Sequence, residues 1–183
     1  MHIIAAKGLV RTFQHTSLFH ELTVLENVLV GCHLWQKPRL LPSLLGAQKR
    51  SDGEKQAMEA LDFFGIANRR DERAGDLPYG LQRAVGMAVA LTVKPQVLLL
   101  DEPFTGMNPE EIRQMMEQVR KIQRRGITLL LVEHDMRAIM GLCERITVVN
   151  FGCLLAEGAP DEICKHPQVI EAYLGSTRHA VAH

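Results

Sequence analysis

Leu98-Leu99-Leu100-Asp101-Glu102-Pro103-Phe104-Thr105-Gly106 is the stretch from which the rest of the chain can be read. From Val97 to Leu100 the residues form an unbroken apolar run, the pattern of a strand covered on both faces of a parallel sheet. Two carboxylates follow at once, and Pro103, with no backbone donor, ends the strand. In an α/β sheet ligands bind at the carboxyl ends of the strands, so Asp101 and Glu102 sit where chemistry is done. Adjacent carboxylates there suit phosphoryl transfer: the first holds Mg²⁺ and the second orients or deprotonates an attacking water.

Working outward, a helix is expected from about Pro109 to Arg125. Asn108 is its N-cap, Pro109 occupies the first helical position, and Glu110 and Glu111 complement the positive end of the dipole. Ile112, Met115, Met116, Val119 and Ile122 share one face, and Gly126 stops the helix. Thr128 to Val132 is a second apolar strand running into Glu133-His134-Asp135, so this strand–helix–strand unit places its two strands parallel in one sheet. A helix from about Met136 to Cys143 leads to a strand at Ile146 to Val149. Asn150-Phe151-Gly152 then turns the chain back into Leu154 to Gly158. Short helices are expected near Pro160 to Lys165 and Pro167 to Leu174, before a frayed tail.

Upstream, Gly8 to Gln14 reads as a short strand entering a loop. Thr23 to Val30 reads as a helix with Thr23 as N-cap and Glu26 completing a capping box. Pro38 to Asp52 is expected to be a loop or short helices, and Glu54 to Phe64 an amphipathic helix with Ala57, Leu61 and Phe64 inward. The expected fold class is α/β, with a parallel core sheet flanked by helices and a helical subdomain set to one side. The expected divisions are 1–14 (a strand leading into a loop), 15–95 (the helical subdomain), 96–175 (the later part of the core) and 176–183 (a tail).

Composition removes several function classes. Formal net charge is zero, so no global basic field points to nucleic acid. No apolar run approaches the roughly 20 residues that span a bilayer, and residues 1–7 lack the basic region and long apolar core of a signal peptide. Cys32, Cys143, Cys153 and Cys164 are scattered without a Cys-x-x-Cys pair, which favours reduced thiols in a cytosolic protein over zinc or a disulfide framework.

The motifs resemble those of ABC-transporter ATP-binding subunits. Leu98 to Glu102 is similar to the Walker B motif and catalytic glutamate of that family, which implies Asp101 as the magnesium-side carboxylate and Glu102 as general base. His134 matches the family's switch histidine. Gly106-Met107-Asn108-Pro109 resembles its D-loop, with Asn108 where many relatives carry Asp. Thr12-Phe13-Gln14 resembles the Q-loop, so Gln14 would reach metal and water and couple the site to a permease. Leu77-Pro78-Tyr79-Gly80-Leu81-Gln82-Arg83 aligns with the signature sequence, at the start of a helix expected from about Leu81 to Val93. Through Pro78, Tyr79, Gly80, Leu81 and Gln82 this element would face the nucleotide bound by the other subunit of a dimer. Gly80 is kept, but Pro78 stands where the family has a serine hydroxyl and Leu81 replaces a polar side chain.

A Gly-x-x-x-x-Gly-Lys-Ser/Thr loop (Walker A), which cradles phosphate with backbone amides, is absent: none of the seven lysines follows a glycine or precedes Ser or Thr. The resemblance therefore begins just before the Q-loop, and the reading is of an N-terminally shortened subunit. Leu22 to Val28, Glu133 to Met136 with Met140-Gly141, Val148 to Asn150 and Pro167 to Gly175 look like the branched-chain amino acid uptake group; the lipopolysaccharide-export subunits are the nearest competitor. The resemblance implies ATP and Mg²⁺ as cofactors. Its implied partners are a homologous ATP-binding subunit, as homo- or heterodimer, inner-membrane permease subunits and, indirectly, a periplasmic solute-binding protein. The implied place is the cytoplasmic face of the inner membrane, held there through the permease. Lacking the phosphate loop, the chain alone is expected to bind ATP poorly and not to hydrolyse it. A non-hydrolysing docking or regulatory module and an inactive fragment are the alternatives.

Overall fold

The computed structural model describes residues 7–12, 18–35 and 46–172, with the side chains of 33–35 and 46–51 left aside. Three strands form a parallel sheet: β1 (Leu9–Arg11), β2 (Val97–Asp101) and β3 (Thr128–Val132), with β2 in the middle. Val10 faces Leu98 across one pair, and Leu98 and Leu100 face Leu129 and Leu131 across the other. The parallel strand–helix–strand unit read from the sequence is thus present, with α4 (Pro109–Arg124) as its crossover.

The sheet is buried on one face. Leu98 and Leu100 are fully enclosed, and Val10 lies with them. The other face differs from the two-sided burial expected of continuous apolar runs: Leu9, Leu130 and Val132 are 40%, 56% and 49% exposed. These residues alternate in register with Val97, Leu99 and Asp101, so they share that open face. A run of leucines reports that a strand can be enclosed, and the enclosing element decides whether it is.

Helices α1 (Val24–Trp35), α2 (Gly46–Phe63) and α3 (Tyr79–Thr92) pack on one another and give the mainly helical region expected between the first two strands. Val24, Val28, Leu61, Val85 and Ala88 are fully buried among them. α1 starts as its sequence dictates: Glu26 N donates to Thr23 Oγ1 and Thr23 N donates to the Glu26 carboxylate, closing a capping box. α2 begins at Gly46, eight residues before the amphipathic pattern that marks it; helical backbone can extend beyond the segment whose periodicity reveals it. α3 begins at Tyr79, two residues earlier than expected. Pro78 is extended (φ −51°, ψ 146°) and immediately precedes the first helical residue, placing Tyr79 and Gly80 inside the first turn.

The chain divides into two compact units at Glu133/His134. In the second, Asp135 caps α5 (Met136–Leu142) by accepting from Arg137 N and Ala138 N. β4 (Ile146–Asn150) and β5 (Cys153–Gly158) form an antiparallel hairpin. Ile146, Val148, Ala156, Ile163 and Val169 make a small core there, with α6 (Pro160–Ile163) and a helical segment at 167–172. Among the described residues no helix is long and apolar enough to cross a membrane.

Candidate functional site

Beyond the strand ladder itself, the carboxyl end of β2 is built by three short-range hydrogen bonds and two long-range side-chain constraints. Glu102 N donates to Val132 O at 2.8 Å, carrying the β2–β3 ladder one residue beyond the last paired strand residue, Asp101. The chain then reverses: Glu102 adopts φ 44°, in the left-handed region that costs a side-chain-bearing residue about 1 kcal/mol or more. Thr105 N donates to Glu102 O at 3.3 Å and Met107 N to Phe104 O at 3.2 Å, so the backbone from 102 to 107 is a run of tight turns. Thr105 Oγ1 donates to the Glu102 carboxylate at 3.3 Å, fixing the direction of that side chain.

The first long-range constraint is Glu133, whose Oε1 accepts from Phe104 N at 3.0 Å. Phe104 and Pro103 are buried, so this amide would otherwise be unsatisfied in an apolar setting. The second is Arg11, whose Nη2 donates to Asp101 Oδ2 at 2.6 Å across the open face of the sheet. Neither residue stands out by local pattern. Arg11 is ninety positions from Asp101, and Glu133 carries only the faint signal of preceding His134.

Below the strand end, Asn108 caps α4 with its side-chain oxygen, accepting from Glu110 N and Glu111 N at 3.0 Å each. Asn108 N in turn donates to Glu111 Oε2 at 2.9 Å, completing a capping box. The first turn of α3 lies against this region. Gly106, at φ +82°, sits against the Tyr79 ring: a Cβ there would stand 3.2 Å from Cε1. A Cβ at Gly80 would stand 3.1 Å from Glu111 Oε1. Gln82 Nε2 donates to Leu77 O at 2.9 Å, turning its side chain back along its own segment.

The structure thus brings Asp101, Glu102, Gly106, Met107, Asn108, Pro109, Tyr79 and Gly80 into one region of the first unit. Pro78 directly precedes α3 there, and Leu81 and Gln82 complete its first turn. Gln14 lies outside the described residues. His134 opens the second unit, two residues after Val132, the register partner of Asp101.

As a metal centre the region offers the adjacent carboxylates of Asp101, one of whose oxygens is already engaged by Arg11, and Glu102, which accepts from Thr105. Among the described residues no group of three or more His, Cys, Asp or Glu could hold a metal ion. The donor set therefore does not suffice for Mg²⁺ by itself, since the ion needs near-octahedral oxygen ligation.

Known proteins resemble the chain along nearly its whole length. A family model described as ABC transporter matches residues 2–105, and one described as branched-chain amino acid ATP-binding cassette transporter matches residues 153–179. The high-affinity branched-chain amino acid transport ATP-binding protein LivG of Salmonella typhimurium is 41% identical over 177 residues, covering 94% of this chain and 69% of LivG. The lipopolysaccharide export system ATP-binding protein LptB of Acidithiobacillus ferridurans is 33% identical, covering 96% of this chain and 68% of LptB. The crystal structure of the ADP conformation of MJ1267, an ATP-binding cassette of an ABC transporter, superposes with a TM-score of 0.79 at 27% identity, over 94% of this chain and 70% of that one.

Proposed function

The chain belongs to the ABC transporter family of ATP-binding proteins, and from that membership we propose that it serves in the ATP-binding part of an importer for branched-chain amino acids or a related solute. The observation that carries the solute class is the 41% identity to LivG, against 33% to LptB, which weakens the lipopolysaccharide-export reading. In this proposal Glu102 is the base that acts on water, with Thr105 orienting its carboxylate. Asp101 is the magnesium-side carboxylate; Gln14 and His134 are catalytic, and Gln14 also reaches the metal and couples hydrolysis to a permease. Pro78 to Gln82 offer the start of α3 to a nucleotide held by a second ATP-binding subunit, and Gly106 to Pro109 form the D-loop. ATP with Mg²⁺ would supply the phosphates that complete the metal shell and the bond to be cleaved. Permease subunits would hold the assembly at the inner face of the membrane. The divisions 1–14, 15–95, 96–175 and 176–183 are retained as the functional segments of this reading.

The 183-residue chain contains no Gly-x-x-x-x-Gly-Lys-Ser/Thr, and the Arg11 guanidinium sits on the carboxylate that a metal would need. Both observations favour a second reading at the level of activity: purified by itself, this chain docks without turning over ATP. The expected result is no MgATP hydrolysis above a Glu102→Gln control, with co-purification on co-expression with a branched-chain permease and a complete ATP-binding subunit. Turnover abolished by Glu102→Gln would overturn the non-hydrolysing reading, and failure to co-purify would overturn the importer assignment.

A further inference from the structure

Two segments that the proposed function assigns to nucleotide handling are tied to each other within one chain, and the tie has a specific residue at its centre. Tyr79 opens α3 directly after the extended Pro78. One helical turn on, Arg83 is 6% exposed and donates Nη2 to Tyr79 Oη at 2.5 Å, with its guanidinium carbon 5.0 Å from the ring centroid. Spacing of i to i+4 stacks these side chains on one helix face. An enclosed guanidinium gains from each hydrogen bond it makes, so the Nη2 bond to Tyr79 Oη and the stacking over the ring together restrain the Tyr79 side chain. The restrained ring lies against Gly106, where a Cβ would approach Cε1 to 3.2 Å. Gly106 also needs the left-handed backbone at φ +82°, so the turn after β2 offers Tyr79 bare backbone to pack on.

A second contact repeats the arrangement with the roles exchanged. Gly80, on α3, is the bare position, and Glu111, on α4, is the side chain against it, 3.1 Å from where a Cβ would stand. Glu111 is itself bound to Asn108 N at 2.9 Å. One contact would allow pivoting, whereas two at successive residues of α3 fix orientation as well as distance.

We propose that Tyr79 is a positioning residue: clamped by Arg83 against Gly106, it makes the start of α3 and the segment Gly106–Pro109 move as one body. Its side chain serves the chain's own turn, while the neighbouring backbone remains the part available to a nucleotide. The relevance of the clamp to ATP handling rests on the function proposed above; the clamp itself is a property of the folded chain and can be measured without nucleotide. Coupling of this kind is reciprocal, so disturbing either side must loosen the other.

Hydrogen exchange on the intact 183-residue chain tests it in both directions. Tyr79→Ala is expected to speed exchange at Thr105 N and Met107 N about tenfold, and Tyr79→Phe, which keeps the ring but loses the hydroxyl that accepts from Arg83, by a smaller, intermediate factor. In the reverse direction, Gly106→Ala is expected to speed exchange at Leu81 N and Gln82 N, both bonded to Pro78 O. Amides of α1 serve as reference, because a general loss of stability would raise them equally. Unchanged exchange at 105 and 107 in Tyr79→Ala, or a rise matched in α1, overturns the proposal. Should Tyr79→Ala not fold, fluorine NMR of the chain labelled with 3-fluorotyrosine decides. The chain has two tyrosines, so Tyr173→Phe isolates the Tyr79 resonance. That resonance must shift in Gly106→Ala, and an unshifted signal overturns the clamp. A chain that shows this coupling yet fails to assemble with a permease would refute the transport function and leave the clamp standing.

Discussion

The Glu133 carboxylate ties two strand ends together by accepting from the buried Phe104 amide. Glu133→Ala is expected to lower stability by about 1 kcal/mol and Glu133→Gln, which keeps an acceptor at the same place, by a few tenths at most. Urea unfolding of the three proteins would measure this, and equal losses in both variants would remove the bond from the account. Asp101 and Glu102 were legible from sequence because their signal is local: four aliphatics, two acids and a proline in succession. Arg11 and Glu133 were not, since each acts on a partner brought near only by parallel strand pairing, ninety and twenty-nine positions away. Sequence patterns report what a residue does to its neighbours along the chain, and these two do nothing distinctive there.

Helix starts were the most readable elements. The capping residues Asn108 and Thr23 do in the structure what their chemistry requires, each accepting from backbone amides of the first turn. Asn108→Ala is expected to cost about 1 kcal/mol in a urea titration, Asn108→Asp much less, because Asp keeps the accepting oxygen. The α1 box also leaves a pH signature. Hydrogen bonds from the Thr23 backbone and hydroxyl hold the Glu26 carboxyl below the usual glutamate range. A carboxyl with a depressed folded pKa contributes stability above that range and loses it as pH falls through it. Wild type should therefore lose more stability than Thr23→Ala as pH falls from about 5.5 to about 3, downward through the ordinary glutamate range, as read from paired urea titrations. Equal losses would mean the box has no electrostatic share. Less readable were the starts of α2 and α3, where no inward-facing periodicity marks the opening turns. The early start of α3 still matters most for the site, since it puts Tyr79 and Gly80 on a helix and so lets them meet Gly106 and Glu111.

For the molecule as a whole, the class of fold followed from the alternation of strand and helix, but the open sheet face did not. A leucine-rich strand reads the same whether or not anything lies over it. Leu130 and Val132 on the edge strand β3, with Leu9 across the sheet, leave an apolar surface interrupted by the Arg11–Asp101 pair. Exposed apolar edges promote association, so the purified chain is expected to self-associate with rising concentration. Leu130→Asp should shift sedimentation toward monomer, and an unchanged distribution would show that this face is not the contact. The same surface bears on how long the chain lasts in a cell. Whatever covers it stabilises the folded state by mass action, and a chain left uncovered is presented to chaperones and proteases. Its steady-state level would then follow the supply of its covering partner rather than its own rate of synthesis, a form of dosage matching set by the exposed side chains of Leu9, Leu130 and Val132.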